Sequence, residues 1–129
     1  MDLCVRDAVE ADAEALAAIA GVPTDVARNL VHDRTVRVAV DDEQVVGVVS
    51  FDAHEDAVHV TQIGGDEAAC ERLLAEPVPF AEREGMPVEL LVPASEAAVR
   101  TAAERAGYEH RGDGPPFEGE RTVRYRHSP

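Results

Sequence analysis

Residues 60–74 read VTQIGGDEAACERLL, and the fold turns on how this stretch is taken. A β-branched apolar run ends at the pair Gly64 and Gly65, and Ala- and Leu-rich sequence of helical character starts directly behind it. A strand, a glycine turn and a helix N-terminus together attract anions, because unpaired backbone N–H groups and the positive end of the helix dipole point the same way. Asp66 and Glu67 stand where such an anion would sit. Carboxylates there have a second use: they cap the first N–H groups and complement the dipole. An anion cradle and a self-capped turn are both open from the residues alone.

Working outward, the 129 residues predict a single domain over 1–129, long enough to bury about two thirds of the surface its unfolded chain exposes. No apolar run approaches the roughly 18 residues of a membrane span, and the start lacks the charged-then-apolar pattern of a secretory leader. A cytoplasmic protein is expected. Cys4 and Cys70 have neither metal-ligand spacing nor the density of a disulfide scaffold, so reduced thiols and no metal are expected. The 26 acidic residues face 12 basic ones, every one of them arginine. That surface repels nucleic acid and anionic membranes at ordinary salt, and neither is expected as a partner. Acidic excess without lysine also matches the habit of salt-accumulating halophilic archaea. In molar salt the Debye length is about 3 Å, so the net charge does not exclude a phosphate-bearing cofactor.

Leu3 and Val5 alternate with polar residues as a short strand. Residues 7–20 read as a helix with Leu16 and Ile19 on one face, ended by Gly21. Thr24 or Asp25 caps a second helix to about His32, with Val26, Leu30 and Val31 inward. Residues 35–40 and 44–51 form a hairpin around 41–43, and a turn at 54–56 leads to a strand at about 57–63. The helix from Asp66 meets Pro77 and Pro79, which either stop it near Glu76 with a restart near Phe80, or kink it. Gly85 closes it. Residues 88–92 are a buried strand. A helix from an N-capping Ser95 to Ala106 follows, with Gly107 behind it. Residues 108–111 and 122–127 are the last strands.

This order, together with the local sequences VRDAVEADAEALAAIA at 5–20, VAVDDEQVVGVVSF at 38–51 and AERAGYE at 103–109, resembles the GCN5-related N-acetyltransferase family over nearly the whole chain. The resemblance implies an α/β fold of the α+β type: one mixed, mostly antiparallel sheet of about seven strands with about four helices, its strands 4 and 5 splayed. It implies acetyl transfer from acetyl-CoA to an amine, on a small molecule or a peptide. The thioester arm would lie along Val60, Thr61, Gln62, Ile63 and Gly64, with Gly65 and Ala68 at the pyrophosphate loop. Members of the family often dimerise, so a homodimer is a further implication.

The family's loop is patterned Gln/Arg-x-x-Gly-x-Gly/Ala. One register puts Gly65 at the Gln/Arg place with Ala68 and Cys70 at the glycines. The other starts at Gln62, with Gly65 at the first glycine and Glu67 at the second. Both bring a Cβ where backbone must approach phosphate. The position of the family's acidic tyrosine holds Ala103. His59, alternating with Thr61 on the fourth strand, is a candidate general base because its free pKa lies near neutrality; the same histidine also reads as a structural strand residue. Glu89 on the fifth strand is a second catalytic candidate. The Pro115–Phe117 element reads as a rim for an acceptor or partner, or as a stiff loop. Two functions follow: an N-acetyltransferase, or a non-catalytic domain of this fold serving as ligand sensor or interaction module.

Overall fold

The computed structural model describes residues 3–129. The chain runs β1 (Cys4–Asp7), a 3-10 turn (Glu10–Asp12), α1 (Ala13–Ala20), α2 (Thr24–Asp33), β2 (Thr35–Asp41), β3 (Gln44–His54) and β4 (Ala57–Gly65). It continues through α3 (Glu67–Leu74), α4 (Pro77–Glu84), β5 (Val88–Pro93), α5 (Ala97–Arg105), β6 (Glu109–Asp113) and β7 (Thr122–His127). The seven strands form one sheet in the order β1-β2-β3-β4-β5-β7-β6. Every pair is antiparallel except β4–β5, as expected for the mixed sheet.

Alternation along the strands separates two apolar clusters, one on each side of the sheet. Val36, Val38 and Val48 meet Ala13, Leu16 and Ala27 from α1 and α2. Ala39, Val49, Val58, Leu90 and Val92 meet Leu73, Leu74, Val99 and Ala102 from α3 and α5. No helix among the described residues is long and apolar enough to cross a membrane.

The departures from the sequence reading have local causes. The first helix starts at Ala13 instead of residue 7. The carboxylate of Asp12 accepts the Val9 N–H at 2.8 Å and two guanidinium bonds from Arg6 at 2.8 and 3.0 Å, which folds residues 10–12 into a tight turn. In α2 the inward stripe is Ala27, Leu30 and Val31; Val26 is 41% exposed, because the helix is entered from an extended Pro23 with no side-chain cap. The proline pair ends α3 at Leu74 and restarts the chain as α4 at Pro77, since a missing N–H costs nothing in a first turn. Ser95 does not cap α5: its hydroxyl donates to the Glu120 carboxylate at 2.6 Å, and the helix begins after Glu96.

The Asp12 hook gives a pH signature. Its carboxyl is held below the usual carboxylate range chiefly by the Arg6 hydrogen bonds, with burial opposing and the Val9 N–H assisting. A depressed folded pKa contributes stability that is complete above the unfolded value near 4 and is lost as pH falls through the folded value. Asp12→Asn is therefore expected to cost about 1.5 kcal/mol at pH 7. Urea titrations should show the gap from the parent protein narrowing as pH drops below about 4; a gap independent of pH would contradict the ionic hook.

Candidate active site

The parallel β4–β5 pair is short. Val58 lies opposite Val88, His59 opposite Glu89 and Val60 opposite Leu90, and there the pairing ends. Yet β4 continues to Gly65 and β5 to Pro93. Each stays bonded on its outer side, β4 to β3 and β5 to β7, so both ladders remain intact while the strands part from one another. Just past the last pair, β4 carries a bulge: Phe51 faces Val60 and Ser50 faces Gln62, leaving Thr61 as the extra residue. A bulge sharpens local twist and bends a strand, which turns β4 away from β5. The Thr61 hydroxyl hydrogen-bonds that of the buried Ser50 and fixes the bulge.

The wedge between the strands is a cavity of about 720 Å³ lined on one side by residues 60–65 and on the other by residues 90–93. Ile19 and Ala20 at the end of α1 close it on one face of the sheet, and Glu96 and Val99 on the other. Pro115, Pro116 and Phe117 form a further wall. Phe117 is 64% exposed and Leu91 beneath the loop 46%. Among the described residues, Glu96 is the single titratable side chain in the lining.

The glycine pair has a packing explanation. A Cβ on Gly64 would come within 2.9 Å of Ile19 Cγ2 and 3.1 Å of its carbonyl oxygen. Gly65 has φ +125° and a Cβ there would meet the Val46 carbonyl oxygen at 2.8 Å and Gly47 Cα at 2.9 Å. Directly behind, the Asp66 carboxylate caps α3, accepting the Ala69 N–H at 2.8 Å. Glu67 lies 3.4 Å from Arg105. The Cys70 thiol sits under this turn, pushed up to about 11 by burial first and then by the charges of Asp66 and Glu96; it is an inert core thiol.

Of the residues singled out from sequence, Val60, Thr61, Gln62, Ile63, Gly64 and Gly65 all line the cavity. Ala68, exposed on the first turn of α3, does not. His59 and Glu89 face one another across the last stretch of pairing, before the strands part, and neither lines the cavity. Ala103 is fully buried in the core. The two tyrosines are committed elsewhere: Tyr108 donates to the Leu74 carbonyl at 2.8 Å and Tyr125 to the Glu104 carboxylate at 2.9 Å. No group of three or more His, Cys, Asp or Glu among the described residues is placed to hold a metal ion. Glu96, Ile19 and Ala20 were not singled out by sequence reasoning, because only the chain's path brings them to β4.

The chain superposes on solved structures over nearly its whole length. A GNAT-family acetyltransferase from Bacillus cereus superposes with a TM-score of 0.79 at 12% identity, covering 99% of this chain and 98% of its own. The fold is that of the GNAT acetyltransferases. A ribosomal-protein-alanine N-acetyltransferase from Brucella melitensis gives 0.78 at 20% identity, with 98% and 99% covered. A Salmonella typhimurium protein solved with its cofactor acetyl-CoA gives 0.78 at 16%, with 99% and 94% covered. No family model matches the sequence and no curated protein matches it. At such identities the GNAT likeness lies in backbone architecture, and residue roles have to come from this chain's own geometry.

Proposed function

We propose that the protein is an acetyl-CoA-dependent N-acetyltransferase acting on a small-molecule or peptide amine. The observation that carries this is the edge of β4 from Thr61 to Gly65, which has no strand partner on the side facing the cavity. An unpaired strand edge offers alternating N–H and C=O groups to an extended ligand, as an added strand would. The amide-bearing arm of a pantetheine thioester has that shape and chemistry. Bound there, acetyl-CoA supplies an activated acetyl thioester. Transfer forms a C–N bond to the amine and breaks the C–S bond; the amine gives up a proton and the thiol is released. The chain's part is to hold the arm on residues 60–64 and to shield the reacting atoms with Leu90, Val92 and Phe117. Water takes the proton from the amine and protonates the thiolate leaving group, so the step needs no protein acid.

The acidic, lysine-free surface suits the salt-rich cytoplasm of a halophilic archaeon, and it argues against nucleic acid and anionic membranes as partners. A homodimer through sheet edges remains part of the proposal.

Thermal unfolding in 1 M KCl tests the reading. Ligand at about 100 times its dissociation constant stabilises by about 2.7 kcal/mol, equivalent to a rise of about 10 °C for a domain of this size. Acetyl-CoA is expected to give such a rise, and an accepting amine to release free thiol. A rise with no thiol release across a broad amine panel would instead support the ligand-sensor role. No rise at millimolar acetyl-CoA overturns both.

A further inference from the structure

The two sides of the cavity differ in character. On the α1 side it is lined by Ile19, Ala20, Leu91 and Phe117, all apolar. On the α3–α5 side it is lined by Glu96 and Val99, and the lining residue Gly65 leads into the first turn of α3. On that side carboxylates outnumber cations. The Asp66 carboxylate occupies the Ala69 N–H, one of the donors that a helix N-terminus would otherwise offer an anion. Glu67 adjoins it, and the guanidinium of Arg105 lies against Glu67 at 3.4 Å. Glu96 adds a third carboxylate, exposed and forming part of the lining. Among the described residues, no arginine or histidine lines the cavity.

Coenzyme A has two dissimilar halves: a neutral arm with two amides, and a phosphorylated nucleotide joined through a diphosphate. The β4 edge suits the first. The α3–α5 side offers the second no lining cation and three carboxylates nearby. We infer that the groove recognises its thioester donor through the pantetheine arm alone, so that a pantetheine thioester lacking the nucleotide is as good a ligand as acetyl-CoA. This rests on the groove being a thioester site and narrows which thioesters it takes.

Calorimetric titration of the full chain in 1 M KCl with S-acetylpantetheine and with acetyl-CoA decides it. The two dissociation constants are expected to agree within about threefold, a gap of under 1 kcal/mol. Acetyl-CoA binding tenfold or more tightly overturns the inference and leaves the acetyltransferase reading standing. Failure of both ligands to bind removes the thioester site itself. Asp66→Ser supplies the second readout, because serine caps a helix as well as aspartate does and leaves the turn folded. In titrations at 0.1 M KCl, where the Asp66 charge is not screened, removing it is expected to tighten acetyl-CoA by about two- to fivefold, the usual worth of a charge at a helix end, with S-acetylpantetheine unchanged. Equal responses of the two ligands, or none from acetyl-CoA, would show that Asp66 does not govern the nucleotide half.

Discussion

Gly65→Ala is expected to lower the unfolding free energy of the ligand-free protein by about 4 kcal/mol, combining backbone strain with overpacking. The φ of +125° lies where L-residues are strained, and the new methyl would press on the Val46 carbonyl oxygen and Gly47 Cα, both backbone atoms of β3 that cannot swing aside. Gly85→Ala is the control. Gly85 also has a positive φ, +67°, at the C-cap of α4, but nothing lies within 4 Å of its would-be Cβ. It should cost only the left-handed penalty of about 1 kcal/mol. Urea titration of the two variants separates two meanings of the glycine turn. If Gly65 served chiefly to let phosphate approach the backbone, alanine would damage ligand affinity and leave apo stability near that of the Gly85 variant. A loss several times larger in the absence of any ligand places the requirement in the seam between β3 and β4.

The same contrast explains what the sequence made legible. Period-two alternation, the acidic turns at 41–43 and 54–56, and the change to helical period behind Gly65 are local signals, and they locate the strands and hairpins to within a few residues. Helix starts were less secure. Ser95 has the chemistry of a cap but hydrogen-bonds Glu120, 25 residues away, a partner no local pattern displays. Val26 and Ala27 are adjacent, and the choice of which one turns inward depends on how α2 leaves Pro23. The groove was legible on its β4 side, because residues 60–65 combine a strand with a glycine pair. Its other walls are not written in any one stretch: Ile19 and Ala20, Leu90 to Pro93, Glu96 and Phe117 meet β4 only through the topology. The function of the glycines is hidden for the same reason. An observer of the chain sees freedom for backbone to approach phosphate, whereas the folded molecule uses the missing Cβ atoms to bring Ile19, Val46 and Gly47 close. His59 and Glu89 illustrate the converse, since chemistry-bearing side chains on the correct strands lie short of the point where those strands part.

Leu73→Ala is expected to cost about 3.5 kcal/mol, within the range for emptying a fully buried leucine site, and to do so without weakening the groove's ligand. Leu73 is completely buried on the side of α3 that faces the sheet and forms no part of the cavity lining. Its partner in the seat is Gly47 on β3, whose would-be Cβ lies 3.0 Å from Leu73 Cδ1, 2.9 Å from Ala69 Cβ and 3.1 Å from the Gly64 carbonyl oxygen. Gly47→Ala should therefore destabilise by about 2 kcal/mol through overpacking. The pair is coupled: removing the leucine methyls opens space next to the alanine methyl, and the double variant should be more stable than the sum of single losses predicts by about 1 kcal/mol. Additive losses would mean that α3 does not sit on Gly47 at this distance. The seat adjoins the cavity, since Gly47 lies opposite the lining residue Gly65 in the β3–β4 ladder and α3 starts directly behind Gly65. A Leu73→Ala protein kept well below its lowered melting temperature should bind acetyl-CoA like the parent, since Asp66 still caps the helix and β4 still parts from β5. Weakened binding in that variant would show that the groove's shape depends on the packing behind α3 and not on the bulge at Thr61 alone.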